Sequence, residues 1–358
     1  MSPAKPESKG ALLGLTREEL EGLVCACGQP RYRGRQIYDA LYARRERDFH
    51  AFTNLSRSFR AQLVERHTLG YPLVRGSFVS RDDSARYLLE FGEGSVVETV
   101  YMPEEDRVTL CVSSQVGCAV DCRFCFTALL GLERNLTAGE MVGQVLAVMA
   151  AQSIPRPSRV NVVFMGMGEP LLNYAPVMKA VRLLSDPEGL AIPLRRITVS
   201  TAGIVPRIRD LGREPQRPKL AVSLNASTDE QRTAIMPLNR KYPLHEMIAA
   251  CRAFPLRPRE RLTFEYVLLE GVNDADADAY RVAELLHGLR AKVNLIPYNS
   301  GAELPYRPPP FERVLGFQQI LAEHGVPAFI RISRGQDIRG ACGQLSLAGV
   351  KHAAATSC

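Results

Sequence analysis

The sequence has few features of a membrane, secreted or disulfide-stabilised protein. No apolar run approaches the roughly eighteen residues that a membrane-spanning helix requires, and the opening stretch MSPAKPESKG has no apolar core of a signal peptide. Nine cysteines, unevenly spread over 358 residues, do not form the dense framework of a small secreted domain. We therefore expect a cytoplasmic protein with no membrane partner, in a reducing compartment where thiolates persist.

Cysteine is concentrated in one short stretch. Cys118, Cys122 and Cys125 form a C-x3-C-x2-C triplet, and no fourth cysteine or histidine follows at comparable spacing. Three thiolates on one loop can hold three irons of a [4Fe-4S] cluster and leave the fourth iron open to another ligand. A structural zinc site needs a fourth protein ligand. The triplet therefore favours an iron-sulfur centre, and a non-catalytic, zinc-containing RNA-binding protein is the alternative from another class.

The net charge is +7, and the positive charge is concentrated between residues 31 and 60. This arginine-rich segment contains Arg31, Arg33, Arg35, Arg44, Arg45, Arg47, Arg57 and Arg60, interleaved with Tyr32, Tyr38, Tyr42 and Phe49. Such a composition is typical of a surface that contacts RNA phosphates and stacks on bases. It is equally typical of a solvated helical face whose aromatic residues form a small core. The pattern alone leaves both interpretations open.

Periodicity and composition divide the chain into five predicted segments. They are a disordered tail over 1–11, a helical N-terminal RNA-binding accessory domain over 12–72, a β-hairpin linker over 73–104, a catalytic domain over 105–350 and a C-terminal tail over 351–358. Thr16 and Glu19 form a capping box that begins the first helix, and further helices are expected over 34–45 and 56–66. Period-two alternation interrupted by Gly92 and Gly94 predicts the hairpin.

Strands and helices alternate through the predicted catalytic domain. Strands are predicted near 108–113, 159–165, 195–201, 218–224, 261–268, 291–297 and 327–332, and helices near 137–152, 175–185, 204–212, 243–253, 276–289 and 311–324. Repeated βα units indicate an α/β fold with parallel strands and outer helices. Functional residues are then expected at the carboxyl ends of the strands, as in closed barrels.

Several motifs together resemble a known enzyme family. The cysteine triplet and MGMGEPLLN, from Met165 at a predicted strand end, resemble the radical S-adenosylmethionine (radical SAM) superfamily. The stretches VETVYMPEEDRVTLCVSSQVGC from Val97, SLNA from Ser223, MPLNRKYPL from Met236, LIPYN from Leu295 and ACGQL from Ala341 are similar to the RlmN family of RNA adenine methyltransferases. The family implies a radical SAM partial (βα)6 barrel with a flanking strand, a small N-terminal helical domain and a β-hairpin linker.

The resemblance also implies cofactors and partners. Cys118, Cys122 and Cys125 would hold the [4Fe-4S] cluster, and two S-adenosylmethionine molecules would be used per turnover. The implied S-adenosylmethionine contacts are Gly168, Glu169, Ser200, Ser223, Leu224, Asn225 and Asn299. The implied substrates are an adenosine in the peptidyl-transferase region of 23S rRNA and the adenosine 3′ to the anticodon in certain tRNAs. An electron donor such as flavodoxin or ferredoxin and a monomeric state are also expected.

Three further residues receive roles from the family. Cys342 would accept a methyl group and, after loss of a hydrogen atom to a deoxyadenosyl radical, deliver a methylene to adenine C2. Cys111 would then form a transient disulfide with Cys342 and release the product, while Glu98 would accept the C2 proton. Without the family, Cys111 in an apolar strand would be core, and Glu98 would be a solvent-facing residue on an amphipathic strand.

The nearest alternative function is that of the Cfr-like sister group, which methylates adenine C8 with the same cysteine set and confers ribosomal antibiotic resistance. One departure from the family pattern lies beside the triplet. Phe126 stands where relatives commonly carry a small residue. A bulky ring at this position is expected to alter packing beside the cluster, which leaves the details of cofactor binding open.

Overall fold

A ten-stranded sheet organises the chain. The structure, a computed structural model, describes residues 9–155, 158–301 and 303–347. Its strands are β1 (Gly10–Ala11), β2 (His67–Thr68), β3 (Leu73–Val79), β4 (Ala85–Phe91), β5 (Ser95–Glu104), β6 (Arg107–Cys111), β7 (Gln115–Gly117), β8 (Leu132–Asn135), β9 (Val160–Phe164), β10 (Ile197–Thr201), β11 (Lys219–Ser223), β12 (Leu262–Leu268), β13 (Ala291–Pro297) and β14 (Ala328–Ile330). Its α-helices are α1 (Arg17–Ala26), α2 (Tyr32–Tyr38), α3 (Arg57–Arg66), α4 (Ala138–Ala151), α5 (Tyr174–Ser185), α6 (Val205–Arg213), α7 (Asp229–Ile235), α8 (Leu244–Arg252), α9 (Asp276–Leu286) and α10 (Phe311–Glu323).

The parallel part of the sheet has the topology predicted for the catalytic domain. The strand order is β14-β13-β12-β11-β10-β9-β6-β5-β4-β3, and every pairing from β14 to β6 is parallel. At least one helix lies between successive parallel strands along the chain, from α4 before β9 to α10 before β14. The predicted α/β fold is confirmed, and the carboxyl ends of β6 and β9 to β13 meet at one edge of the sheet.

Side-chain alternation in these strands separates the core from the interior of the barrel. In β9, Val160, Val162 and Phe164 are buried, whereas the intervening Asn161 and Val163 are half-buried. The same alternation occurs in β10. Successive side chains of a strand point to opposite faces, so the apolar set packs under the helices and the other set faces the barrel interior. Polar groups in this second set are thereby directed toward the interior.

The predicted hairpin is an integral part of the sheet rather than a separate linker. Its two predicted strands are β4 and β5, joined by a 3-10 turn at Gly92–Gly94, and β3 pairs with β4 as a third strand. β5 pairs antiparallel with β6, with Val100 opposite Cys111. This pairing attaches the antiparallel strands to the parallel barrel. Because side chains alternate along β5, Glu98 lies on the same face of the sheet as Cys111.

The prediction of a disordered tail over 1–11 is wrong at its end. Gly10 and Ala11 form β1, which pairs in parallel with His67 and Thr68. The adjacent Leu12 is fully buried, and its N–H donates to the Thr68 carbonyl over 2.9 Å. Burial of this apolar side chain holds the segment against the N-terminal helices. Residues 1–8 and the predicted C-terminal tail over 351–358 lie outside the described residues.

Aromatic residues of the N-terminal helices form part of the hydrophobic core. α1 begins with the predicted capping box of Thr16 and Glu19. The helix predicted over 34–45 is α2 continued by a π-helix at Asp39–Ala43. On this continuous helix Tyr38 and Tyr42 are buried, and the Tyr42 hydroxyl accepts from the Gly14 N–H over 2.8 Å. These two rings are therefore structural and cannot stack on RNA bases.

The N-terminal helices pack directly on the barrel through α4. This helix begins with a capping box of Thr137 and Glu140, and most of its residues are buried. Gly14 has φ +98°, and a Cβ there would lie 2.6 Å from the Cα of Gly139. Glycine at both positions permits this close approach of two backbones. Within the described ranges, no helix is long and apolar enough to span a membrane.

Candidate active site

The three cysteines of the triplet lie on a tightly closed loop between β7 and β8. The Cys118 N–H donates to the Gly131 carbonyl over 2.8 Å, and the Cys125 N–H donates to the Cys122 carbonyl over 3.0 Å. Gly117 has φ +77°, and a Cβ there would lie only 1.8 Å from the Gly131 oxygen. Glycine is therefore required where the loop closes. A 3-10 helix, Phe126–Leu130, follows the last cysteine.

An apolar cavity wall surrounds these thiols. The three cysteines pack against Val120, Phe124, Ala202, Ala226, Ile235, Met236, Leu269 and Tyr298, and we call this assembly the cluster pocket. Burial raises the pKa of Cys118 to about 12 and also raises the pKa values of Cys122 and Cys125. Metal ligation is the usual way to hold such thiols as thiolates. The donor set and its apolar surroundings fit an iron-sulfur cluster.

The geometry gives no support to a single metal ion bound by these side chains. Among the residues that the structure describes, no three His, Cys, Asp or Glu side chains are grouped for one ion. A zinc ion needs its sulfur ligands about 2.3 Å from a common point. A cubane cluster instead binds each cysteine through a different iron, so its ligands are spread more widely.

The turn after β9 brings a carboxylate beside the cluster pocket. Gly168 has φ +96°, and a Cβ there would lie 2.5 Å from the Cβ of Gln115. The Gln115 side chain in turn accepts a hydrogen bond from the Glu169 N–H over 2.8 Å. The turn therefore needs glycine at position 168 and is fixed by Gln115.

Glu169 is a buried carboxylate solvated by hydrogen-bond donors. Its Oε1 accepts from the Leu171 N–H over 3.0 Å, and its Oε2 accepts from the Ala202 N–H over 2.7 Å. Burial raises its pKa to about 7, and these N–H donors together with the Thr201 hydroxyl oppose that rise. A carboxylate held in this way can receive a cationic group such as the ammonium of an amino acid.

The predicted strand-end contacts lie beside Glu169. Ser200, on β10, and Ser223, the last residue of β11, are half-buried. Leu224 is fully buried, and its N–H donates to the Glu265 carbonyl over 2.9 Å. Leu224 can therefore contact a ligand through its backbone only, while the two serine side chains remain accessible from the barrel interior.

The two predicted asparagines are already engaged by the protein. Asn225 has φ 55°, and its side-chain carbonyl accepts from the Val267 N–H over 2.8 Å. Asn299 donates to the Cys342 carbonyl over 3.0 Å and accepts from Gln336 over 2.8 Å. Asn299 thus holds the backbone of Cys342 at the end of β13, and Asn225 shapes the chain after β11.

Sequence reasoning missed Arg232, whose side chain bonds to backbone carbonyls at the ends of β10 and β11. It lies on α7, a short helix that was not predicted, and its side chain is fully buried. Its guanidinium donates to the carbonyls of Ala202, Ser223 and Leu224 over 2.6, 3.0 and 3.1 Å. Burial lowers its pKa to about 10. Seven residues with little apolar periodicity gave no signal for this helix apart from the Thr228 cap.

The other candidate residues are Glu98 on β5, Cys111 at the end of β6 and Cys342 in the C-terminal segment that bonds to Glu98, and we call this region the thiol pocket. Glu98 is fully buried and forms an ion pair with Arg86, which is also buried. The Leu347 N–H donates to its Oε2 over 3.3 Å. Burial raises the pKa of Glu98 and the Arg86 guanidinium opposes the rise. The alternative that Glu98 faces solvent is therefore wrong.

The two thiols of this pocket are close enough for the charge of Cys342 to contribute to the pKa of Cys111. Cys111 is buried at the end of β6, and burial raises its pKa, with Cys342 as the next contributor. Cys342 is open to solvent at the mouth of the barrel, yet the surrounding protein, together with Glu265, raises its pKa to about 11. The β6 register and the C-terminal segment thus bring together two cysteines that are remote in sequence.

The cluster loop holds the segment that carries Cys342. The Phe126 N–H donates to the Gly343 carbonyl over 2.8 Å, and the Thr127 hydroxyl donates to the Leu345 carbonyl over 2.7 Å. The bulky Phe126 ring is accommodated because it packs against Gly301, where a Cβ would lie 2.3 Å from its Cζ. Hydrogen bonds between these two segments therefore link the cluster pocket to the thiol pocket.

Glu265 is another acid that sequence reasoning missed. It is buried in β12 and accepts a hydrogen bond from the Asn294 side chain over 2.9 Å. Burial raises its pKa, while Arg331 and Lys292 oppose the rise. An acid within the apolar stretch LTFEYVL is the same signal that singled out Glu98, and it could have identified Glu265 as well.

The arginine-rich segment is partly structural. Arg31 and Arg35 both pair with the buried Glu21, over 2.5 and 2.9 Å. Arg44 pairs with Asp39 over 2.9 Å, and Arg45 donates to the Ile154 carbonyl over 3.1 Å.

The outer face of the N-terminal helices carries a basic groove of about 490 Å³. It is lined by Lys9, Phe49, His50, Arg57, Arg60, Ala61, Val64 and Glu65. Arg57 and His50 are exposed on this groove, whereas Phe49 is buried beneath it. The groove is a surface of the N-terminal helices that can contact a polyanion.

Two family profiles match the chain in the order of its structural parts. Residues 11–69 match the ribosomal RNA large subunit methyltransferase N-terminal domain. Residues 112–283 match the radical SAM superfamily. The first match covers the N-terminal helices, and the second covers the cluster loop and most of the barrel.

Curated relatives and one solved structure extend this likeness over nearly the whole chain. A probable dual-specificity RNA methyltransferase RlmN of Koribacter versatilis is 52% identical over 335 residues, covering 89% of this chain and 96% of the relative. The dual-specificity RNA methyltransferase RlmN of an Anaeromyxobacter species is 48% identical, covering 97% and 93%. The crystal structure of a radical SAM methyltransferase from Sphaerobacter thermophilus is 48% identical with a TM-score of 0.90, covering 94% and 99%.

Proposed function

Because the chain belongs to the RlmN family of radical SAM RNA methyltransferases, we propose that it methylates C2 of adenosine in 23S rRNA and in tRNA. The rRNA target is an adenosine of the peptidyl-transferase region, and the tRNA target is the adenosine 3′ to the anticodon. The observation that carries this proposal is the bonding of the segment that contains Cys342 to both the cluster loop and Glu98: the Phe126 N–H donates to the Gly343 carbonyl, and the Leu347 N–H donates to the Glu98 carboxylate.

The target atom explains why the protein needs such a site. Adenine C2 is an electron-poor carbon between two ring nitrogens, so it cannot attack a sulfonium methyl group by direct displacement. A cluster held by Cys118, Cys122 and Cys125 supplies the electron for reductive cleavage of S-adenosylmethionine. The protein contributes position, exclusion of water and the thiol chemistry.

Cys342 is the proposed carrier of the methyl carbon. Its thiolate would attack the methyl carbon of a first S-adenosylmethionine, so the bond from Cys342 sulfur to carbon forms as the bond from the sulfonium to that carbon breaks, and S-adenosylhomocysteine leaves. A second S-adenosylmethionine would supply the radical that removes a hydrogen atom from the S-methyl group. The exposed position of Cys342 at the barrel mouth suits a residue that must meet both a cofactor and an RNA base.

Cys111 and Glu98 complete the proposed reaction. Glu98 accepts the C2 proton after the methylene on Cys342 has added to the base. The Cys111 thiolate would then attack the Cys342 sulfur, the bond from that sulfur to the methylene would break, and the released carbon would take up a proton to become the methyl group. One unpaired electron remains on the adduct from the methylene radical, and a cluster held by the three cysteines would accept it. The transient disulfide must be reduced before the next turnover, which is typical of a catalytic disulfide in a reducing compartment.

The remaining site residues act on the second ligand. Glu169 is proposed to accept the ammonium of S-adenosylmethionine, and the backbone at Gly168 and Leu224 lies beside it. Ser200, Ser223, Asn225 and Asn299 line the same strand ends and are proposed contacts or supports. Asn225 and Asn299 have engaged side chains, so we assign them to shaping the site.

The proposed partners are 23S rRNA, tRNA and an electron donor such as flavodoxin or ferredoxin, with a monomeric protein acting in the cytoplasm. RNA contact is assigned to the basic groove around Arg57. The relatives named above carry the RlmN name, which favours C2 over the C8 position of the Cfr-like alternative.

The experiment is mass spectrometry of nucleosides from 23S rRNA treated anaerobically with reconstituted protein, a reductant and S-adenosylmethionine with a trideuterated methyl group. The RNA is taken from cells that lack the modification. We expect 2-methyladenosine with two deuteriums, because one deuterium leaves with the deoxyadenosyl radical. The same label on 8-methyladenosine would assign the chain to the C8 reaction, and an intact trideuterated methyl would refute the role of Cys342.

A further inference from the structure

The hydroxyl of Tyr298 is a buried polar group without a hydrogen-bond partner among the described residues. Tyr298 follows directly after β13, and its residue exposure is only 5%. A buried hydroxyl that lacks a partner costs about 1–3 kcal/mol, and buried polar groups in folded proteins are nearly always bonded. The unpaired hydroxyl therefore indicates a partner that is not part of the polypeptide.

The position of Tyr298 identifies where that partner lies. Tyr298 belongs to the cluster pocket, in which Cys118, Cys122 and Cys125 pack against the same group of side chains. The buried phenol therefore shares an otherwise apolar pocket with the three thiols.

The orientation of the ring is fixed by its neighbours. The Tyr298 N–H donates to the Leu268 carbonyl over 3.2 Å. The ring of Tyr306 packs edge-on against the Tyr298 ring, with 6.0 Å between the centroids. Because backbone and ring are both held, the hydroxyl has little freedom to reach another protein acceptor.

We propose that the Tyr298 hydroxyl donates a hydrogen bond to a sulfur of the iron-sulfur cluster and thereby raises the reduction potential of the cluster. This inference rests on the cluster assigned to the three cysteines under the proposed function. The cluster becomes more negative when it is reduced, so an O–H donor aimed at one of its sulfurs stabilises the reduced form more than the oxidised form.

The test compares Tyr298→Phe with Tyr306→Phe. Both variants remove one phenol oxygen and keep the ring, but only Tyr298→Phe removes the buried, unpaired hydroxyl of the cluster pocket. Each protein is reconstituted anaerobically as the full chain, its iron and sulfide are counted, and its cluster is titrated by electron paramagnetic resonance without S-adenosylmethionine. We expect full cluster content in both variants, a more negative potential in Tyr298→Phe and the wild-type potential in Tyr306→Phe.

The outcomes separate this inference from the proposed function. Equal potentials in Tyr298→Phe and wild type would overturn the inference while leaving the cluster assignment intact. Weaker S-adenosylmethionine binding at an unchanged potential would do the same, and would assign the hydroxyl to that ligand instead. A wild-type protein that holds no reducible [4Fe-4S] cluster would overturn the proposed function, and this inference with it.

A second measurement covers the case in which Tyr298→Phe does not hold the cluster. Replacing the tyrosines of the Tyr306→Phe protein with 3-fluorotyrosine acidifies the phenols while preserving ring shape. A stronger donor should stabilise the reduced cluster further, so the potential is expected to become more positive than in the unfluorinated protein. An unchanged potential would contradict the hydrogen bond.

Discussion

The cluster pocket and the thiol pocket lie at the same edge of one sheet, yet their buried carboxylates have different partners. Beside the cluster pocket, Glu169 is held by the backbone N–H groups of Leu171 and Ala202. In the thiol pocket, Glu98 is paired with the guanidinium of Arg86. A carboxylate held by neutral donors keeps its negative charge available to a cationic ligand, whereas a carboxylate paired with arginine is already neutralised.

The difference indicates how each pocket works. The region of Glu169 is prepared to receive an external charged group, which agrees with a site for S-adenosylmethionine. The thiol pocket is covered by its own chain, because the Leu347 N–H donates to Glu98 and the segment carrying Cys342 is bonded to Phe126 and Thr127. The role proposed for Glu98 requires this cover to move, because an RNA base must come within hydrogen-bond reach of its carboxylate.

The largest effect is expected from Cys122→Ala, which tests the cluster pocket. Loss of one of three thiolate ligands should abolish iron and sulfide binding, and with it S-adenosylmethionine cleavage and RNA methylation. Metal and sulfide analysis of anaerobically purified protein provides the measurement. The control is Cys251→Ala, a buried cysteine on α8 outside both pockets. Stoichiometric zinc in the wild-type protein would contradict the assignment.

The second effect concerns the thiol pocket alone. Glu98→Gln should lower the rate of RNA methylation by about 10²–10⁴, the usual contribution of general acid-base catalysis, and leave S-adenosylmethionine cleavage intact. It should also lower the free energy of unfolding, by up to about 3 kcal/mol, because Arg86 loses its buried counter-charge.

A double variant separates these two consequences. Arg86→Met combined with Glu98→Gln removes both charges, so the free energy of unfolding should recover while methylation stays low. Glu90→Gln is the matched control, since Glu90 lies on β4 and pairs with the exposed Arg75. Recovery of methylation in the double variant would show that Glu98 acts only through stability.

The third effect is a pH dependence that belongs to Glu169. Its pKa is raised to about 7, and the ammonium of S-adenosylmethionine binds the ionised form. The affinity should therefore increase as pH rises through about 7, and it should be about fivefold lower at pH 6 than near pH 7.5 if only the ionised carboxylate and the protonated ligand amine bind each other. Above about 7.5 the affinity should fall again, because the ligand's own amino group loses its proton.

Titration calorimetry across this pH range is the measurement. Glu169→Gln should bind more weakly and show no rise in affinity between pH 6 and pH 7.5, because the neutral amide does not titrate. The wild-type profile should appear unchanged in Glu98→Gln, whose carboxylate serves the other pocket. A pH-independent affinity in the wild-type protein would remove the distinction drawn between the two carboxylates.

The smallest effect is expected from Gln336→Met, which tests how the thiol pocket is held. Gln336 orients Asn299, and Asn299 bonds the Cys342 carbonyl. Loss of one such hydrogen bond costs about 0.5–1.5 kcal/mol, so methylation of Cys342 should slow by about two- to tenfold. The rate is followed by intact-protein mass spectrometry, and the resonance spectrum of the cluster should not change. Gln319→Met on the exposed face of α10 is the control.

Local patterns predicted most elements of the barrel because helix caps and strand alternation are short-range signals. The capping boxes at Thr16 and Thr137 begin helices as expected, and the strand predicted over 291–297 has those bounds in the structure. α7 was missed, since its seven residues carry too little periodicity. The aromatic residues of the arginine-rich segment could not be assigned from sequence, because composition does not say whether Tyr38 and Tyr42 face a core or solvent.

The sequence by itself determined the ligand set and the order of the βα units. Three cysteines within eight residues must share one loop, and alternating periodicities dictate parallel strands with outer helices. Only the tertiary structure decided that Arg86 pairs with Glu98, that the segment carrying Cys342 bonds to the cluster loop and that Tyr298 joins the cluster pocket with a hydroxyl unpaired among the described residues. These contacts join residues far apart in the chain, and they exist because strand register and the docking of the last segment set the distances that covalent spacing leaves free.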